Sequence, residues 1–451
     1  MKALSIKEIA SALGAEYTGE AVISGISIDS RTIEKGDLYI AIKGENFDGH
    51  DFSESAVKNG AAAVMCHNDI DCACPKIIVK DTQEALLALA SWYRQQFDVF
   101  VVGLTGSVGK TTTKDMIAAV FQSERITLKT EGNLNNSIGV PRTLMRLEED
   151  TQTAVVEMGM DGKGQISVLT NCVKPDAAVI TNIGVSHLEN LGSREGILAA
   201  KMEIVEGLKK GGKLFLNSDD PYLMSVQPED YEIVYFGINN SACKYRAENI
   251  EANGAGTEFD VCWEENVQHA IIPTIGKHNV YDALCAFAVG CEHGISPENA
   301  AKGLSQYKPS GMRQKLSSFN GITFIEDCYN ASPDSVRAAI STLSSLNVKR
   351  KIAVLGDMLE LGSISEEAHK NSGMLAAKKG IDAVFTLGER SAATAEKAKE
   401  LGVEVAENFS SHEELVNRLS TFIEAGDAVL FKASRAMKLE DVIKPLYEKL
   451  K

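Results

Sequence analysis

No stretch of this 451-residue chain approaches the roughly twenty apolar residues that a membrane span requires. Its opening, "MKALSIKEIASALG", lacks the long apolar core of a secretion signal. Nine cysteines, an odd number, are scattered without a paired CxxC framework. Cys66, Cys72 and Cys74 form the one cluster, "CHNDIDCAC", and their spacing fits no structural zinc pattern well, so reduced thiols of a cytosolic protein are the expectation. Positive charge is also short. Lys and Arg number 46 against 62 Asp and Glu, a formal net charge of −16, which argues against nucleic acid or an anionic membrane as a main partner. An anionic ligand must then be held by local devices. A dinucleotide turn is missing too, since Gly356 and Gly362 stand too far apart for G-x-G-x-x-G. There is no internal repeat and no low-complexity tract.

What is present is ordinary globular composition, 44% hydrophobic and 24% charged, in a chain too long for one core. Three units are expected, at residues 1–97, 98–309 and 310–451. In the first, "SIKE" at Ser5 is a capping box for a short helix that Gly14 ends. A helix signal from Ser53 to Gly60 leads into the strand-like "AAAVMC", and "TQEALLALASWYRQQF" reads as an amphipathic helix capped by Thr82. In the second, the apolar runs "TAVVEMG" and "DAAVITNIG" alternate with helical segments, which predicts a mainly parallel sheet covered by helices. Shorter antiparallel strands are expected from about Asp230 to Pro273. The Pro-Ser-Gly composition of "YKPSGMRQ" marks a connection. Beyond it, "KIAVLGDM", "DAVFTLGE" and "DAVLFKAS" predict a third α/β unit.

The chemistry concentrates at "VVGLTGSVGKTTTKDM", Val101 to Met116, an apolar strand, a glycine turn and a helix start. The strict phosphate-loop pattern wants glycine where Leu104 stands, yet the physics survives. Gly106 and Gly109 let backbone N–H groups turn inward, and the helix beginning near Lys110 adds its positive end. Lys110 suits β- and γ-phosphates, and the Thr111 hydroxyl suits Mg²⁺. Glu157 ends an apolar strand, where the carboxyl ends of parallel strands gather ligands. His187 follows another strand in the same way, although a lone histidine is usually structural. On local pattern alone, Lys201 in "AAKMEI" is a helix-surface lysine.

Several stretches together are similar to the Mur ligases: "DSRTIEKGDLYIAIKGENFDGHDF", "TGSVGKTTTK", "GNLNNSIGVP", "ITNIGVSHLENLGSREGI", "AAKMEI", "GKHNVYDALCA" and "DCYNASPDS". The resemblance covers essentially the whole chain. It implies an α/β protein of three domains: a small α/β N-terminal domain for the UDP end of the substrate, a central P-loop parallel-sheet ATPase domain, and a Rossmann-like C-terminal domain. It implies a cytoplasmic ATP- and Mg²⁺-dependent ligase, expected to be monomeric. The "YNASPDS" and "SHLENLGS" forms point to joining D-alanyl-D-alanine to UDP-N-acetylmuramoyl-tripeptide. The enzyme that adds the third amino acid typically carries an Asp-Asn-Pro-Arg motif absent here, and folylpolyglutamate synthase lacks about a hundred residues ahead of the loop. A nucleotide switch without ligase activity is the rival from another class.

The same resemblance distributes roles over residues. Thr105, Gly106, Ser107, Val108, Gly109, Lys110, Thr111 and Thr112 would hold the triphosphate, with Val108 standing where many members have asparagine. His278 and Asn279 match the region contacting adenine, although locally Asn279 reads as a helix cap. Arg313 and Asp327 match residues near the γ-phosphate and ribose. Thr111, Glu157 and His187 would serve magnesium, and Lys201 matches a lysine that many members carry as a carbamate. Lys110, Lys201 and His187 are thus the expected catalytic groups. Ser30, Arg31, Asp48, His50, Asn136, Asn330 and Ser332 are expected to bind the two other substrates.

Overall fold

The computed structural model describes residues 1–67, 70–71, 73–252 and 256–451, so Cys72 of the cysteine cluster lies outside the described residues. The chain divides into two compact units, one of Met1–Thr105, Arg125–Val179 and Met202–Leu214, the other of Gly106–Glu124, Ile180–Lys201 and Phe215–Lys451. Among the described residues no helix is long and apolar enough to cross a membrane.

In the first unit, the helix Ile6–Leu13 starts at a reciprocal capping box between Ser5 and Glu8 and stops at Gly14, whose φ of 60° suits glycine. A five-stranded sheet follows. Its order is Glu16–Thr18, Lys76–Ile78, Ala63–Cys66, Asp37–Ile40, Gly25–Ser27. The first pair is antiparallel and the rest are parallel, and Tyr39, Ala41, Ala56, Val64 and Cys66 form an apolar cluster against it. The helix Thr82–Arg94 corrects one expectation. Its cap is Asp81, whose carboxylate accepts from the N–H of Gln83 and Glu84 at 2.8 Å, while the Thr82 hydroxyl donates to Ala41 O at 2.9 Å. A carboxylate one residue earlier reaches both orphan amides, which a hydroxyl already engaged elsewhere does not. This unit also carries parallel strands of a second sheet, with Thr153–Glu157 between Phe100–Thr105 and Thr127–Lys129. All five residues of the middle strand are buried, as a strand covered on both faces must be.

The second unit opens with the helix Lys110–Gln122. The strands Tyr245–Ala252, Thr257–Trp263 and Asn266–Ile272 are antiparallel as expected. Glu232–Gly237, however, pairs with the first of them in parallel over a short register. The last part of the unit is a six-stranded sheet ordered Lys315–Phe319, Ile322–Glu326, Asp427–Lys432, Arg350–Gly356, Ala383–Leu387, Val405–Phe409. Only its first pair is antiparallel. Alternate residues face two apolar layers: Phe324, Val354, Phe385 and Phe431 one way, Ile325, Leu355, Val384 and Leu430 the other. The last strand inserts between the second and third, so the order reverses there. That switch point opens a crevice at the strands' carboxyl ends, where open α/β sheets bind ligands.

Candidate functional site

The phosphate-type loop is held from one side by the segment 181–184. Thr181 Oγ1 and Asn182 Nδ2 donate to Val108 O at 2.7 and 2.9 Å, and Val108 N donates to Asn182 Oδ1 at 3.1 Å. Ser107 N donates to Asn182 O at 3.1 Å, and Ser107 Oγ accepts from Gly184 N at 2.8 Å. The glycines are required here. A Cβ on Gly106 would stand 1.9 Å from Thr181 Oγ1, and one on Gly109, at φ 83°, would stand 2.7 Å from Asp282 Oδ1. Val108 thus contributes backbone, which makes its side chain unimportant to the loop's shape.

Lys110 Nζ donates to Gly106 O at 2.8 Å and Ser107 O at 3.4 Å, curled over the loop it is expected to serve. Thr111 is buried in the helix's first turn, Thr112 is half-buried beside it, and Thr105 is a buried strand end. Beneath the helix, Thr113 Oγ1 donates to Asp282 Oδ1 at 2.7 Å, and burial pushes the Asp282 carboxyl up to about 7.

Lys201 overturns its local reading. It is only 1% exposed, and among the described residues no anion pairs with it. Burial, and then the nearby Lys110 ammonium, hold its pKa well below the usual lysine range. His187 sits at φ 62° just before the helix Leu188–Leu191, with Glu360 Oε2 3.9 Å from its Nδ1.

The switch-point crevice gathers the expected C-terminal residues. Asp327 pairs with Lys432 Nζ at 2.6 Å, and that ammonium also donates to Asn330 O at 3.2 Å. The Arg313 guanidinium lies over the Tyr329 ring at 3.9 Å, a cation–π contact rather than a solvated linker charge. His278 and Asn279 both meet Gln314 of the connecting segment. Asn279 Nδ2 donates to Gln314 Oε1 at 2.6 Å, Ile275 O at 2.7 Å and Thr274 Oγ1 at 3.0 Å, so it is no helix cap. Burial pushes the His278 imidazole down to about 4. Ser332 caps the helix Pro333–Ser345 by accepting from Ser335 N, and Asp334 Oδ2 accepts from Val185 N at 3.2 Å.

In the first unit, Asn135 Nδ2 donates to Glu157 Oε1 at 2.9 Å, and Glu157 N donates to Thr130 Oγ1 at 3.0 Å. Asn136 Oδ1 accepts from Gly139 N at 2.9 Å, a local turn. Arg31, 86% exposed, forms a bidentate pair with Asp29 at 2.9 and 2.7 Å, which holds the Asp29 carboxyl down to about 2. Ser30 is buried, and its carbonyl accepts from Asn59. His50 Nε2 accepts from His67 N, so the ring proton is on Nδ1, donated to Asp48 Oδ1 at 2.6 Å.

Sequence reasoning missed Asn135, Asn182, Asp282, Gln314, Asp334 and Lys432. Lys432 carried a signal, a lysine ending the apolar run "DAVLFK"; the others did not stand out locally.

Comparison with known proteins identifies the family from matches along most of the chain. Residues 22–94 match the family model "Mur ligase family, catalytic domain", residues 104–290 "Mur ligase middle domain", and residues 312–435 "Mur ligase, glutamate ligase domain". A relative in Bacillus subtilis (strain 168), UDP-N-acetylmuramoyl-tripeptide–D-alanyl-D-alanine ligase, is 44% identical over 95% of this chain and 94% of its own. The chain belongs to the Mur ligase family. Among solved Mur ligases, a MurF crystal structure from Acinetobacter baumannii superposes with TM-score 0.92 at 31% identity, covering 99% of each chain. A MurF ligase from Thermotoga maritima in complex with ADP gives TM-score 0.85 at 28% identity over 94% of this chain and 97% of that one.

Proposed function

We propose that this Mur ligase is the ATP-dependent enzyme that joins D-alanyl-D-alanine to UDP-N-acetylmuramoyl-tripeptide in the cytoplasm, for peptidoglycan precursor synthesis. The observation that carries it is the 44% identity to a relative of that name over nearly the whole chain, beside a glycine loop packed so closely on Thr181 and Asp282 that an added Cβ would clash. The domain division at residues 1–97, 98–309 and 310–451 belongs to the same reading, and so does a monomeric state.

In this reading the loop 105–112 holds the triphosphate through backbone amides, the helix end and Lys110. The terminal carboxylate of the tripeptide attacks the γ-phosphorus; the P–O bond to ADP breaks and an acyl phosphate forms. Two anions must meet, and Lys110 with the loop amides offsets their repulsion. The amino group of the dipeptide then attacks the acyl carbon, loses a proton, and releases phosphate as the amide forms. The substrate carboxylate is itself the nucleophile, so no nucleophilic side chain is needed. Holding both reactants while excluding water is the protein's main contribution.

The donors fit magnesium: a buried Thr111 hydroxyl, the Glu157 carboxylate and the His187 imidazole. Among the described residues no group of three His, Cys, Asp or Glu side chains gathers to hold a metal; magnesium takes few protein ligands and completes its shell with water and phosphate. When bound, the ion would neutralise phosphate charge. Lys201 fits the carbamate reading, because burial and the nearby Lys110 lower its pKa and so favour the neutral form that adds CO₂, and the product would replace a repelled cation by an anion. His278, Asn279, Arg313 and Asp327 are assigned to the nucleoside end. Ser30, Arg31, Asp48, His50 and Asn136 are assigned to the UDP-linked substrate, and Asn330 and Ser332 to the acceptor.

The test is phosphate release by the purified protein, expected to require both the UDP-linked tripeptide and D-alanyl-D-alanine. Release with a single amino acid and the UDP-linked dipeptide would assign the chain to third-residue addition instead. Turnover indifferent to both would make it a nucleotide-dependent switch.

A further inference from the structure

The segment from Asp357 to Ile364 bridges the strand Arg350–Gly356 and the helix Ser365–Lys378. It leaves the sheet at the switch point, on the edge that carries Asp327 and Asn330. Its outer part meets the other side of the crevice. Glu360, at φ 61°, faces His187, and a Cβ on Gly362 would stand 3.3 Å from the Glu189 side chain. Its last residue, Ile364, lines a pocket of about 570 Å³ with Val185, Leu188, Pro333 and Ala368.

One buried side chain ties both ends of this arch. His369 is 1% exposed. Its Nε2 accepts from Met358 N at 3.0 Å, and its Nδ1 faces Ser365 O at 2.7 Å. Because Nε2 accepts an N–H, the single ring proton must be on Nδ1, donated to the carbonyl. Further bonds hold the arch's inner end. Ser434 Oγ accepts from Leu359 N at 2.9 Å, Asp357 O from Ser434 N at 3.1 Å, and Asp357 Oδ1 from Ser391 N at 2.8 Å. Burial keeps the imidazole pKa below the usual histidine value; Asp357 opposes that shift and Arg390 reinforces it. Those are the charged groups that face it. A second ring proton would point at the Met358 N–H and break the clamp, so only the neutral ring holds both ends.

We propose that His369 is a positioning residue for the acceptor step: its neutral imidazole fixes the 357–364 arch, and with it the wall that the incoming amine-bearing dipeptide meets beside His187. The inference rests on the ligase reading above. Its test uses the full-length protein with ATP, UDP-N-acetylmuramoyl-tripeptide and D-alanyl-D-alanine. His369→Phe fills the space but accepts nothing; in His369→Gln the amide oxygen can take the Met358 N–H. We expect H369F to lower kcat/KM for the dipeptide about tenfold and to move KM for ATP by less than about twofold. H369Q should recover to within about threefold of wild type. The wild-type dipeptide kcat/KM should fall on the acid side, at a pH lower than an ordinary histidine would set, a limb absent from H369Q. Equal losses for ATP and dipeptide in H369F, or an acid limb unchanged in H369Q, overturn the proposal; the second readout stands even where H369F fails to fold. A wild-type protein inert toward the dipeptide overturns the ligase reading itself, whereas an active wild type with unmoved variants overturns only the role of His369.

Discussion

Gly106→Ala should disable nucleotide binding by a route that the contacts define. The new methyl would lie 1.9 Å from Thr181 Oγ1, 3.0 Å from its Cβ and 3.2 Å from its backbone nitrogen. Thr181 cannot escape by rotation alone, because a β-branched side chain replaces one heavy atom with another. Its hydroxyl must therefore leave Val108 O, now 2.7 Å away, stranding a buried donor at about 1–3 kcal/mol. The backbone φ of 157° adds about 1–3 kcal/mol for a residue with a side chain. Relaxation recovers part of this, and about 3 kcal/mol is a fair expectation for a loop that must be pulled back into shape on binding. That corresponds to more than about 100-fold in nucleotide affinity. Calorimetric titration with ADP and ATP measures it. The control is Gly402→Ala, where φ is 96° but no atom lies within 4 Å of the added carbon; it should lose some stability and leave nucleotide affinity unchanged. If G106A binds ATP within about twofold of wild type, the Thr181 contact does not shape the loop and the argument fails.

Lys110→Ala should cut ATP-dependent ligation at least about 100-fold with little change in melting temperature, since its bonds to Gly106 O and Ser107 O are replaceable by water; phosphate release and thermal unfolding separate the two. Asp282→Asn should flatten the pH dependence of stability. The unfolded carboxyl ionises near 3.8 and the folded one near 7, so the folded state binds the extra proton and stability falls as pH rises through that window, by at most about 4 kcal/mol. Urea titrations at pH 5 and pH 8 read the difference, and a wild-type protein more stable at the higher pH with D282N unchanged would contradict it. Asp427→Ala should cost about 3–5 kcal/mol, because Arg350 Nε and Nη2 reach a fully buried carboxylate at 2.9 and 2.6 Å; a loss below about 1 kcal/mol by denaturant titration would place this pair among surface bridges.

Features written in a few consecutive residues were legible. Ser5, Glu8 and Gly14 state a helix's start and stop, and the glycine turn before Lys110 states the passage from a strand to a helix. Glu157 could be placed at a strand end, and His187 after one, because apolar runs announce where strands finish. The failures share a different cause. Thr82 lost the cap to Asp81 because Ala41, 41 residues away, engages its hydroxyl. Lys432 is separated from Asp327 by 105 residues and Asp334 from Val185 by 149, and only the strand order brings them together. No local pattern reports that Glu232–Gly237 pairs in parallel, since register follows from which strands the intervening chain can reach.

Lys201 shows how far a local reading can mislead and why the error is informative. A lysine on a short helix is ordinarily a solvated charge, because burying an unpaired ammonium costs several kcal/mol. Here the sequence places it in the core beside a second ammonium, and no partner among the described residues offsets either effect. Burial and the neighbouring Lys110 ammonium lower the pKa of this amine, which favours the neutral form, the one that would act as a nucleophile toward CO₂. Substituting Lys201→Gln keeps the length and removes the basicity, so the ligase reading expects folding intact and activity lost, and expects that bicarbonate restores activity to CO₂-stripped wild type but not to K201Q. A K201Q protein that keeps wild-type turnover would mean the buried amine is structural filler, and the metal-facing role would have to be withdrawn.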